Sequence, residues 1–156
     1  MKKFAYIVVS LALATTEDDE YVYPTKQYYE LKLGKDSFLY QPNPEWKYQE
    51  SQPNRITGII EEESVAFLYL GSDIPVTATM EQIKEKLTES NIDTSTLHEY
   101  ELGGKKVYIV EDGTDELYGY AMLQDVGCEN YLLIDMISET KYSEESVINC
   151  FGIEMD

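Results

Sequence analysis

Histidine and tryptophan occur once each in this chain and cysteine twice, and basic residues are outnumbered by acids, twelve to thirty. Each scarcity excludes something. Two cysteines and His98 are too few ligands for a four-coordinate Cys/His zinc site. A formal charge of −18 repels nucleic-acid phosphate and anionic lipid, so neither is expected as a direct partner. Also missing are G-x-S-x-G, H-E-x-x-H and C-x-x-C, as is any glycine-rich loop between a strand and a helix. No cofactor, metal or catalytic residue is therefore assigned. The longest apolar run, from Phe4, falls short of the ~20 residues that span a bilayer.

That run reads as an export signal. Lys2 and Lys3 precede apolar Phe4 to Leu11, and Ala12-Leu13-Ala14 supplies a small-x-small cleavage site. The competing reading makes Tyr6-Ile7-Val8-Val9 a buried strand in a cytoplasmic protein. Residues 15–27 are acidic and without periodicity, as in an exposed flexible leader, and 28–156 form one domain large enough to bury its own core. The expected address is extracytoplasmic, secreted or at the cell envelope. There, an even cysteine count permits one bridge, Cys128–Cys150, closing a loop of about 20 residues worth roughly 3 kcal/mol. In the cytosol the same residues would be free thiols.

Fourteen tyrosines suit half-wet strands, and strands dominate the pattern. Residues 28–33 alternate, turn at Gly34-Lys35-Asp36 and return over 37–40. Pro42, Pro44 and Pro53 make 41–55 an irregular loop with Trp46 as its anchor, and 56–61 with 65–70 form a hairpin about Glu62-Glu63-Ser64. A helix is expected over 80–90, with Thr79 and Gln82 as a capping box, Met80, Ile83 and Leu87 as its apolar stripe, and Asn91 as its stop. Gly103-Gly104 sets a two-residue hairpin in which Glu101 faces Lys106, Tyr100 faces Val107 and His98 faces Ile109. After the turn at Asp112–Asp115, strands at 117–124 and 131–137 follow, joined through Gly127. Leu117, Ala121 and Leu123 there alternate with Tyr118, Tyr120 and Met122, one face aliphatic and one carrying tyrosine. Ser143 caps a last helix, Tyr142 and Val147 staple it, and Gly152 ends it. The class is α+β: a mostly antiparallel β-sheet with two helices packed against it.

This order of elements resembles the PsbP-like superfamily. Its carriers are the alternating strand with Phe38, the stretch Tyr40, Pro42 or Pro44, and Trp46, the hairpin and helix of 65–70 and 80–90, and Gly103-Gly104-Lys105-Lys106-Val107-Tyr108 before a long hairpin and a C-terminal helix. The likeness spans 28–152. It implies a small exported domain that binds or scaffolds rather than catalyses. Phe151 to Asp156 departs from the Ser-Phe-x-Phe-like ending of members, no lipobox cysteine follows Ala14, and His98 alone supplies no metal site.

The remaining chemistry is thin. His98 lacks a second histidine and a nucleophile motif nearby, and reads as a surface or half-buried residue. Cys150 sits near a helix C-terminus, where the dipole disfavours thiolate. The acids of 111–116 lack EF-hand spacing and read as a solvated turn, as do Glu61-Glu62-Glu63. Tyr118, Tyr120 and Tyr131 form the candidate contact surface. The expected function is a non-catalytic acidic binding or scaffolding domain for a protein or small ligand. The alternative is an intracellular inhibitor or immunity-type protein that blocks a basic partner such as a nuclease.

Overall fold

The computed structural model describes residues 21–49 and 53–154, and among these nine strands and two α-helices form. The expected signal at 1–14 lies outside the described residues, as does 15–20 of the leader. The strands are β1 (Tyr29–Leu33), β2 (Asp36–Tyr40), β3 (Lys47–Gln49), β4 (Arg55–Ile60), β5 (Val65–Pro75), β6 (His98–Leu102), β7 (Lys105–Glu111), β8 (Tyr118–Gln124) and β9 (Asn130–Ser138). Helix α1 covers Met80–Glu89 and α2 covers Glu144–Phe151. One antiparallel sheet runs β3-β4-β5-β9-β8-β7-β6, and β1-β2 is a separate hairpin. The fold is α+β, as the sequence pattern requires.

Local chemistry sets the ends of the elements. Thr79 Oγ1 accepts from the Gln82 amide at 3.2 Å while Gln82 Oε1 accepts from the Thr79 amide at 2.9 Å, so both halves of the capping box are made. Asn91 adopts φ +65° just past the helix, the left-handed stop that Asn tolerates. The Gly103-Gly104 turn gives the expected register, with Glu101 opposite Lys106 and His98 opposite Ile109. Two expectations change. β3 lies inside the loop assigned to 41–55, paired with β4, because three residues between prolines are too few to show alternation. Nor is the end of the leader loose: Tyr21 is buried, and Val22 and Tyr48 exchange backbone hydrogen bonds of 2.9 and 2.7 Å.

Both faces of the sheet carry covering elements. On one, Leu31, Leu33 and Tyr40 of the β1-β2 hairpin and Val147, Ile148 and Phe151 of α2 bury Phe67, Tyr69, Met122, Ile134 and Met136. On the other, Ile83 and Leu87 of α1 bury Tyr108, Val110, Ala121, Leu123 and Tyr131. Phe67 is the hub of the first face: its ring lies 5.0 Å from Trp46, 5.6 Å from Tyr48 and 5.5 Å from Phe151. Trp46 thus anchors its loop, as expected. Opposite Phe67 in the register stands Gly58, where an added Cβ would lie 2.2 Å from Phe67 Cζ.

Replacing a strand glycine by alanine ordinarily stabilises, by about 0.5–1 kcal/mol. Here the sign reverses: Gly58→Ala is expected to cost about 1–3 kcal/mol through overpacking, and Phe67→Leu in the same chain to recover part of it. Urea denaturation of the variants checks this; an unchanged or raised midpoint for Gly58→Ala contradicts the packing of Phe67 on Gly58.

Candidate functional site

The second face is only partly roofed, and the opening is a groove. With ten residues, α1 is about 15 Å long and covers the β7-β8 side of the sheet. Farther along, Tyr21 packs on Ala66 and Ile137. Two cross-strand rows lie between these covers. One runs Arg55, Leu70, Leu133, Leu123; the next runs Thr57, Leu68, Asp135, Ala121. All of the first row, with Leu68 and Asp135 of the second, floors a groove of about 470 Å³. Leu87, Ile92 and Lys86 wall it on the helix side. Its lip is the register shift in β5 between Gly71 and Pro75, where the Ser72 hydroxyl donates to the Tyr131 carbonyl at 2.6 Å and Asn130 Nδ2 donates to the Ser72 carbonyl at 2.9 Å. Lys86 bridges from α1 to Asp73 on that lip at 3.2 Å.

The polar groups of the floor sit in an apolar setting. Asp135 is 3% exposed, at the centre of the sheet, and Thr57 is 2% exposed. The Thr57 hydroxyl, the Tyr21 hydroxyl and Arg55 Nε are buried with no hydrogen-bond partner among the described residues. Burial pushes the Tyr21 phenol up to about 12, opposed by the nearby Arg55 guanidinium. Of these, only Arg55 lines the leucine-floored groove, at its β4 end; Thr57 and Tyr21 are buried beside it. That is the make-up of a small-molecule site: an apolar recess of roughly 300–1,000 Å³ with few polar groups.

Sequence reading missed this site. Its legible trace was Asp135 inside the apolar run Tyr131-Leu132-Leu133-Ile134-Met136-Ile137, a carboxylate where a buried strand has no use for one. The tyrosine surface is corrected. Tyr118 is 46% exposed, but Tyr120 and Tyr131 are 4% and 2% exposed and belong to the cores on opposite faces. The Tyr120 hydroxyl donates to the Tyr142 carbonyl at 2.8 Å, and the Tyr131 ring stacks edge-on to Tyr108 at 5.9 Å. The alternation was read correctly, but α2 and α1 cover both of its faces.

Cys128 and Cys150 are free thiols in the structure, where the sequence permitted a bridge. Cys128 lies in the β8-β9 connection, near Asp36 and Asp125, and Cys150 lies on α2, near Glu63. His98 gains a carboxylate that sequence spacing did not reveal: its Nδ1 lies 3.1 Å from both Glu144 oxygens, and the Tyr100 hydroxyl donates to Glu144 at 2.6 Å. This cluster ties the sheet edge to the first turn of α2, with the His98 ring mostly in solvent. The turn at 111–116 is held by Thr114, whose hydroxyl accepts from the Glu116 and Leu117 amides. Among the described residues no group of three or more His, Cys, Asp or Glu is placed to hold a metal ion, and no helix is long and apolar enough to cross a membrane. In comparisons with known proteins, no family model, no curated protein and no solved structure matches the chain.

The Cys150 thiol borders a recess of Ile60, Val65, Met136 and Tyr142, and burial, followed by the Glu63 carboxylate, pushes its pKa up. Its alkylation is expected to keep accelerating as pH rises past ~8.5, the usual thiol value. Glu63→Gln is expected to raise the rate at pH 8 about two-fold. Peptide-resolved mass spectrometry checks this; a rate indifferent to Glu63 contradicts the electrostatic assignment.

Proposed function

We propose that this chain is a non-catalytic binding domain and that it takes a small, largely apolar molecule in the groove between α1 and β4-β5-β9. One observation carries the reading: among the described residues Arg55, Leu70 and Leu133, one cross-strand row, stay half-buried over a groove, and there leucines adjoin an Arg55 Nε that has no hydrogen-bond partner in the described fold. A void of that make-up costs stability in the free protein, a cost that a bound ligand offsets. Export rests on the pattern from Lys2 to Ala14, and membership of the PsbP-like superfamily on the order of elements set out above. The superfamily likeness supports a domain that binds rather than one that turns over substrate. The His98-Glu144-Tyr100 cluster lies at the sheet edge β6 and at α2, elements that do not line the groove.

Titration of the full chain with Nile red, a neutral apolar fluorophore, tests the reading. Saturable binding with enhanced emission is expected, weakened about tenfold or more by Leu133→Trp, which fills the groove, an effect of roughly 1.4 kcal/mol. Leu70→Gln, at another half-buried point of the floor, is expected to act in the same direction. Leu39→Ser, at an exposed leucine on the β1-β2 hairpin, is expected to have no effect. No saturable binding, or binding lost in Leu39→Ser and kept in both groove variants, overturns the proposal.

A further inference from the structure

We propose that the ligand of this groove is an acyl-type molecule, an apolar chain ending in a carbonyl oxygen, with that oxygen seated on Arg55. This inference rests on the groove being the binding site and adds which end of the ligand lies where. Arg55 begins the row whose remaining floor is Leu70, Leu133 and Leu123, one residue on each successive strand. Neighbouring strands are about 4.8 Å apart, so three steps carry the row about 14 Å from the guanidinium side to the helix side. One end of that path is polar and the rest is leucine. An amphiphile lying across the strands, head at β4 and tail toward α1, matches it in length and in order of chemistry.

The head must accept a hydrogen bond. Arg55 Nε carries an N–H, is buried, and has no acceptor among the described residues. A buried donor on a charged group left unsatisfied is costly, and a ligand oxygen removes that cost. Thr57, two residues along β4 on the same face, and Tyr21, close enough for its phenol to feel the Arg55 charge, are buried beside this end and do not line the groove, so Arg55 is the donor that a ligand meets there. The other charges of the groove are Lys86, already paired with Asp73, and the carboxylates of Glu89 and Asp135. Asp135 lies one row over and two strands away from Arg55, nearer the tail, so the acceptor is directed to the β4 end and not to the middle. Both an amide or ester carbonyl and a free carboxylate carry this oxygen, and the two are separated by experiment.

Displacement of bound Nile red by three ligands sharing one chain, decanamide, decanoate and decylamine, supplies the test. It is run in high salt, so that the net charge of the protein does not by itself favour the amine. At least one carbonyl ligand is expected to displace the dye about tenfold more tightly than decylamine, which offers no acceptor. Arg55→Met is expected to reduce that preference to about two-fold or less. Arg55→Lys, which keeps the charge and loses the fixed N–H geometry, is expected to fall between. A stronger decanamide than decanoate identifies a neutral carbonyl head; the reverse order identifies a carboxylate. Equal or tighter displacement by decylamine from the wild-type protein, or a preference that survives Arg55→Met, overturns the inference while leaving the groove as a binding site. Absence of dye binding to the wild type overturns the groove itself. The wild-type ratio decides the matter even where a variant does not fold.

Discussion

The pairing of β5 with β9 at the centre of the sheet is the constraint on which the rest of the molecule depends. From Val65 opposite Ser138 to Gly71 opposite Leu132 the two strands run in unbroken antiparallel register, and nearly every residue of both is apolar or buried. Strands so apolar on both sides cannot leave a face in water. The fold therefore needs two covers, and it builds them unequally. On one face the β1-β2 hairpin and α2 close over an aromatic cluster centred on Phe67 and seated on Gly58. On the other, among the described residues, a ten-residue helix and a single tyrosine share the task, and the strip between them stays open.

That asymmetry explains where polar residues are tolerated. Asp135 lies in the middle of the sheet where it borders the groove, whereas the roofed rows of the other face are filled by Ile, Leu, Met and aromatic side chains. The excess acid is elsewhere. Glu99 and Glu101 sit on β6, a strand at the edge of the sheet, where charge discourages pairing with another chain, and Glu61 to Glu63 form a short 3₁₀ turn between β4 and β5. Arg55, one of only twelve bases, is spent at the end of the groove.

Much of the fold was legible in the sequence, down to single contacts. The Gly-Gly turn fixed the partners of Glu101, Tyr100 and His98, and Thr79 with Gln82 fixed the start of α1, because turn geometry and capping are local chemistry. Strand β3 was not legible, since three residues hold no period. The end of the leader was hidden for the same reason: Tyr21 and Val22 join the fold through one buried ring and one bridge. The misplaced tyrosine surface has a different cause. Alternation tells which residues share a face but not whether that face is covered, and Tyr120 and Tyr131 lie beneath separate helices. The groove required knowing how far α1 reaches, a tertiary fact; only Asp135, out of place in an apolar strand, pointed to it.

The most direct test of the central claim is a map of backbone amide shifts in the nuclear magnetic resonance spectrum as decanamide is added to the full chain. The account predicts progressive, saturable shifts at Arg55, Leu68, Leu70, Leu133 and Asp135 and along the inner turn of α1 near Leu87, with the hairpin at Tyr29–Tyr40 undisturbed. Shifts concentrated instead around Tyr28, Leu39 and Trp46 on the opposite face, or none that saturate, would contradict it.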